Sequence, residues 1–386
     1  MSGSGEGKDV CLVGHPYAPI GMGEHVRCTY RALRSVALRP TLTDIYKLVP
    51  PDTDELTEFS GACTDRPSDI NIFHINGDEV EQALAHLSHR QPWNGCNIIY
   101  PAWELARYPE EWAVQLDRFD EIWAPSRFIQ EALESVCTRP VVHMPLACEV
   151  LLSSLLSRRY FGIPESDYVF LFFFDVRSYP KRKNPKGVIS AFRHVLTQRP
   201  FAKTRLVLKV NGAELDPQSM EQLRHDLSDM INHVTLLHRV LSDNEVKNLV
   251  RCCDCFVSLH RSEGYGRGIA EAMYLGKPVI ATAYSGNMDF MTSDTSLEVG
   301  YQLVPVGDGE YPHWQDQVWA SADVDQAAKH MRTLIDDPSF GMELGRRASV
   351  HFRTVFGYRA SGLRYRQRLE QIARGEDACL INATSS

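Results

Sequence analysis

Short apolar runs alternate with helical stretches from one end of this chain to the other, and that rhythm limits the fold more than any single residue. The clearest run is Tyr168-Val169-Phe170-Leu171-Phe172-Phe173-Phe174. A continuous apolar stretch of this length suits a strand buried on both faces, as in a parallel sheet. It is far short of the roughly 20 residues that span a bilayer. Strands are expected at 9–14, 70–75, 97–101, 121–124 and 140–145, and again at 168–174, 204–210, 233–237, 254–259 and 278–282. Helical patterns lie between them, around 24–36, 78–88, 126–136, 185–198, 217–231, 242–251, 267–275 and 323–336. Strands that alternate with helices imply parallel sheets covered by helices.

The 386 residues suffice for two such layers, at roughly 150 residues per domain. Two Rossmann-like domains are expected, 1–158 and 159–350, with a C-terminal segment 351–386. The join lies near 150–165, where Leu151 to Tyr160 leads into Gly162-Ile163-Pro164. A net charge of -8 argues against general nucleic-acid binding. The ten cysteines show no paired spacing of a secreted scaffold. Cys252, Cys253 and Cys255 run into a strand, and a zinc site would need a second ligand cluster. Reduced, buried thiols fit a cytoplasmic protein. The polar start M-S-G-S-G-E-G-K-D lacks a signal-peptide core, and its G-E-G-K departs from a P-loop because Asp9 follows Lys8. The acidic D-T-D at Asp52–Asp54 follows two prolines in a polar loop and is discounted as a metal site.

Chemistry concentrates in H-R-S-E-G-Y-G-R-G-I-A-E-A-M-Y-L-G-K-P-V-I-A-T, residues 260–282. Cys255 to Leu259 reads as a buried strand before it. Gly276 and Pro278 end the helix, and Val279 to Thr282 is the next strand. Glu263 and Glu271 therefore flank a strand-to-helix junction, where open α/β sheets bind ligands. At roughly 3.6 residues per turn, they lie about two turns apart. Gly264, Gly266 and Gly268 leave backbone amides open to an anion, and the helix terminus adds favourable potential. Carboxylates accept hydrogen bonds from hydroxyls. The arrangement suits a ligand with phosphates in the middle and hydroxyl-rich groups at either end, such as a nucleotide sugar.

This run resembles the E-x7-E signature of retaining glycosyltransferases of family 4. The resemblance implies the GT-B fold: two Rossmann-like domains whose parallel sheets face a central cleft, with a C-terminal helix crossing back. It implies that Glu271 takes the ribose hydroxyls and Glu263 the donor sugar hydroxyls, with Gly264, Tyr265 and Gly266 forming the donor turn. The segment D-V-R-S-Y-P-K-R-K-N-P-K-G-V, 175–188, is similar to the family's phosphate-gripping loop. Arg177 and Lys183 match its spacing, and Lys181 or Arg182 are alternatives. Lys209 is a further phosphate or sugar contact. Main-chain atoms near Arg239 and Val240 would read the base. Family members mostly need no metal or other cofactor.

On the first half, the glycine loop with Gly21 and Gly23 resembles the one near the donor phosphate and acceptor. Asn76, Asp78, Trp103 and Glu104 are acceptor candidates, because aromatic rings stack on sugar faces. A catalytic-site histidine found in some members has no obvious counterpart. The implied reaction is transfer of a sugar from a nucleotide diphosphate donor to a hydroxyl of a saccharide or lipid-linked acceptor, with retention. The E-G-Y-G turn and S-G-N-M-D-F-M at 285–291 are similar to O-antigen and capsule mannosyltransferases, which points to GDP-mannose. UDP-sugars are the alternative donors. A same-fold epimerase or hydrolase, and a non-catalytic sugar-nucleotide binder, are the rival readings. The arginine-rich stretch 346–374 fits a solvated helical face, the returning helix, or peripheral contact with an anionic inner membrane face, at about 1 kcal/mol per basic residue near the surface.

Overall fold

Two six-stranded parallel sheets carry the chain. The structure is a computed structural model that describes residues 9–48, 56–89 and 92–376. The G-E-G-K and D-T-D stretches lie outside the described residues. The first sheet is built from β1 (Val10–Gly14), β2 (Thr41–Asp44), β3 (Ile70–Phe73), β4 (Cys96–Ile99), β5 (Glu121–Ala124) and β6 (Val141–His143), in the order β2-β1-β3-β4-β5-β6. The second holds β7 (Tyr168–Asp175), β8 (Thr204–Asn211), β9 (Val234–Leu237), β10 (Cys255–Ser258), β11 (Val279–Thr282) and β12 (Leu297–Val299), in the order β12-β11-β10-β7-β8-β9. An antiparallel ribbon, β13 (Tyr301–Pro305) with β14 (Val318–Ala322), comes next in the chain. The edge strands β2 and β12 escaped the sequence reading. Thr41-Leu42-Thr43-Asp44 and Leu297-Glu298-Val299 are too short and polar to stand out as apolar runs.

The long apolar run behaves as its composition dictates. β7 pairs with β8 over its whole length, Tyr168 opposite Thr204 through Asp175 opposite Asn211. Alternate side chains go to opposite faces. Phe170, Phe172 and Phe174 join Val188, Phe192 and Leu223 in one core. Phe173 points the other way, against Phe256 at 5.1 Å between ring centroids. A Cβ on Gly268 would lie 2.7 Å from the Phe173 ring. Glycine there lets the helix Arg267–Tyr274 settle onto the sheet beside the candidate site.

The chain divides into two compact units, 149–354 and the combination of 1–148 with 355–386. The division falls earlier than the expected 158/159. Arg158 is tied to the second unit: its Nε donates to Cys252 O at 2.9 Å and its Nη2 to Asp254 Oδ2 at 2.6 Å. The last helix, Tyr358–Ala373, packs on the helix Gly21–Ser35 of the first unit. A Cβ on Gly362 would sit 2.1 Å from Ala32 O, so the helices touch backbone to backbone. Tyr365 donates to Pro145 O at 3.0 Å, and Arg368 forms a buried ion pair with Glu121. Further arginines of this stretch are also engaged: Arg346 with Glu343, Arg353 over the Tyr274 ring, Arg364 with Val355 O and Arg374 with Glu376. No helix among the described residues is long and apolar enough to cross a membrane.

At the end of β3, His74 is fully buried and neither ring nitrogen has a hydrogen-bond partner among the described residues. Burial pulls its pKa down to about 3. The unfolded chain then binds a proton below about pH 6.5 that the native state refuses until about pH 3. Where the unfolded state binds more protons, stability rises with pH, so this contribution is complete above pH 6.5 and is lost as pH falls. Stability should drop by up to about 1.4 kcal/mol per pH unit through this window. Urea unfolding at pH 7.5, 6 and 5 checks the slope, and His74→Phe should flatten it.

Candidate functional site

The site is built on the loop between β10 and the helix Arg267–Tyr274. Gly266 caps that helix at φ 90°, a left-handed conformation that glycine adopts without steric cost. The loop is clasped to the one after β11. Glu263 N donates to Ser285 Oγ at 2.8 Å, and Gly286 N donates to Glu263 O at 2.9 Å. A Cβ on Gly286 would fall 2.0 Å from Gly264 O, so only glycine permits this approach. Beneath the loop, the buried His260 links both segments. Its Nδ1 lies 3.1 Å from Ser258 Oγ, and its Nε2 faces Tyr284 O and Asn287 Oδ1 at 3.2 and 3.0 Å. Burial lowers its pKa, against the opposing pull of Glu263, so the imidazole is neutral near pH 7.

Glu263 is 9% exposed and gripped by two cations. Lys183 Nζ donates to Oε1 at 2.6 Å and Arg182 Nη1 to Oε2 at 3.1 Å. Arg182 also donates to Ser262 O at 2.9 Å, and its guanidinium lies 5.9 Å from the Tyr311 ring centroid. Burial alone would raise the Glu263 pKa. Lys183 and Arg182 outweigh it and hold the carboxyl at about 2. Both cations come from one short helix, Pro180–Lys183, delivered by the end of β7. Tyr179 before it and Asn184 after it both take positive φ, at 55° and 56°. This tight strap aims two consecutive basic side chains at one carboxylate. A carboxylate offers about four acceptor positions, so Glu263 can still receive a ligand hydroxyl.

Glu271 is 8% exposed on the helix after Gly266. Tyr265 packs its ring against Phe290 at 5.2 Å. Arg177 does not join Glu263. It folds back on Asp175, with Nη2 at 2.6 Å from Oδ2, and Arg182 stands at the carboxylate instead. Lys209 is buried at the end of β8 and donates to Val210 O at 3.0 Å and to Asn211 Oδ1. Burial lowers its pKa to about 8, with Asp175 opposing the shift. Arg239 pairs with Glu245 at 2.7 Å and lies over the Tyr160 ring, while Val240 is largely exposed. Sequence reasoning missed His260, Ser285 and Asn287. All three lie within or beside the motif stretches, but loop-to-loop hydrogen bonding leaves no periodic trace.

On the first unit, a Cβ at Gly23 would lie 2.2 Å from Ala18 O, so the turn after β1 closes tightly on it. Gly21 opens the same helix, with open space where a Cβ would stand. Asn76 Oδ1 accepts from Ala102 N at 2.9 Å, which ties the ends of β3 and β4 together. Asp78 and the half-buried Glu104 lie on those two loops. Trp103 requires a correction. It is 2% exposed, its Nε1 donates to Arg107 O, and Tyr108 and Trp112 pack edge-on at 5.5 and 5.4 Å. A ring so enclosed is a packing residue and has no face for a sugar. His15, at the end of β1, shares a hydrogen bond with Glu79, with 2.7 Å between Nε2 and Oε1. Among the described residues, no group of three or more His, Cys, Asp or Glu is placed to hold a metal ion.

A doubly wound pair of parallel sheets is the architecture of the GT-B fold. Residues 156–350 match the family described as glycosyl transferases group 1, about half of the chain, and the protein belongs to that family. No curated protein sequence matches the chain. Solved structures share its fold. Anabaena HepE in complex with UDP and glucose has a TM-score of 0.68 at 14% identity, covering 94% of this chain and 100% of that one. Sucrose-phosphate synthase from Thermosynechococcus elongatus has a TM-score of 0.67 at 16% identity, covering 95% and 100%. A glycosyltransferase from Rickettsia africae has a TM-score of 0.66 at 12% identity, covering 95% and 99%.

Proposed function

We propose that the protein transfers a sugar from a nucleoside diphosphate donor to a hydroxyl of a saccharide or lipid-linked acceptor, with retained anomeric configuration and without a metal. The observation that carries this reading is the buried Glu263 held between Lys183 and Arg182 beside the amides of a helix N-terminus. Preorganised cations and amides aimed at a leaving diphosphate stabilise charge as it develops, which is the largest catalytic effect available to such a site. Lys183 and Arg182 take the role that the sequence pattern gave to Arg177 and Lys183. Glu263, ionised at any working pH, anchors a donor-sugar hydroxyl and keeps both cations in place. Glu271 receives the ribose hydroxyls.

Two donor classes remain in the proposal. The E-G-Y-G turn and the 285–291 stretch favour a GDP-sugar such as GDP-mannose. The UDP and UDP-glucose complexes of the Anabaena structure favour a UDP-sugar. A thermal-shift series with GDP-mannose, UDP-glucose, UDP-galactose and UDP-N-acetylglucosamine separates them. At about 100 times its Kd, the true donor adds about 2.7 kcal/mol to stability by mass action. A melt that no nucleotide sugar shifts would refute the donor site. NMR of the product then reports the anomeric configuration.

A further inference from the structure

A cavity of about 410 Å³ opens on the second unit, behind the strap that grips Glu263. Its floor is apolar: Phe174 and Val176 from the end of β7, and Met220 and Leu223 from the helix Pro217–Asp226. Pro180 and Lys181 form one wall, whereas Arg182 and Lys183 of the same short helix turn to Glu263 and do not line it. Arg261 forms another wall. This volume falls within the range of about 300–1,000 Å³ that holds small organic ligands.

The polar groups around the cavity are unequal. Its acids are already engaged: Asp216 accepts from Ser219 N at 3.0 Å, and Asp226 accepts from Gln222 Nε2 at 2.7 Å. Its cations are far less so. Lys181 reaches Glu310 only at 3.5 Å. Exposed Lys186 and half-buried Arg261 have no ion pair among the described residues. Arg261 lies 5.4 Å over the Trp319 ring, and its guanidinium makes no hydrogen bond among the described residues. Burial lowers its pKa, with the carboxylate of Glu310 opposing the shift. A partly desolvated guanidinium above an apolar floor is complementary to an anion that carries an apolar body.

We propose that this cavity is a second ligand site, distinct from the donor site, for an organic anion whose apolar part rests on Phe174, Val176, Met220 and Leu223 and whose charged head meets Arg261. Anilinonaphthalene sulfonate is a fluorescent probe of this class. It should bind the folded chain saturably at one site, with octanoate displacing it and inorganic phosphate leaving it bound. Arg261→Gln should weaken binding about tenfold by removing the cation. Ser219→Trp, at an exposed position on the cavity rim, should block binding while leaving the melting temperature unchanged. The site is refuted if the probe does not bind saturably, or if it binds both variants as it binds the parent chain. Displacement by phosphate alone would refute the ligand class, because the apolar floor would then contribute nothing.

Discussion

Glu263→Gln is expected to slow sugar transfer by about 100- to 1,000-fold and to weaken the second unit together. The carboxylate is the common partner of Lys183 and Arg182, both largely shielded from water. Removing one partner of a buried ionic group leaves uncompensated charge and costs about 3–5 kcal/mol. Losing an electrostatic group at the reacting centre typically lowers kcat by about 100- to 1,000-fold. Urea unfolding reads the first effect. Turnover measured well below the variant's unfolding midpoint reads the second. Transfer near the parent rate by the folded variant would remove Glu263 from the mechanism. Because the carboxyl is held at about 2, its proton is already gone far below neutral pH. Its stabilising contribution is present above the unfolded carboxyl range and is lost only as pH falls toward 2, so no titration of Glu263 should appear in a rate profile between pH 5 and 9.

The second large effect belongs to the first unit. Arg368 and Glu121 are each only 6% exposed at the side chain and are paired directly, and Trp123 Nε1 donates to the same carboxylate at 2.7 Å. Arg368→Met should cost about 3–5 kcal/mol, because Glu121 would remain buried without its counter-ion. The double variant Glu121→Gln with Arg368→Met should recover much of the loss, because it buries no net charge. Denaturant midpoints of the two single variants and the double variant close the cycle. Additive losses in the double variant would show that the pair is not the link between the last helix and the sheet.

The apolar run 168–174 and the glutamates around Gly266 were legible because strand burial and helix capping act locally. Each leaves a pattern within a few residues. The partner of Glu263 was not legible to that accuracy. Arg177, Lys181, Arg182 and Lys183 share one loop, and the choice among them depends on the two positive-φ residues, Tyr179 and Asn184, that fold the strap. Trp103 misled for a related reason. Its neighbours in sequence suggested a sugar platform, while the contacts that enclose it come from a turn and a helix several residues on. His74 shows the same limit, since nothing in the letters F-H-I-N-G reveals that its ring nitrogens lie buried without a hydrogen-bond partner among the described residues.

The first unit is assembled from 1–148 and 355–386, with the whole of 149–354 between them. A chain emerging from the ribosome therefore carries a first sheet that must wait for its last helix. Domains ordinarily complete in order from the N-terminus during synthesis. Here the continuous second unit can finish while Glu121 still lacks Arg368 and the groove along Gly21–Ser35 still lacks Gly362. Translation arrested near residue 354 should yield nascent chains in which the second unit resists protease and the first does not.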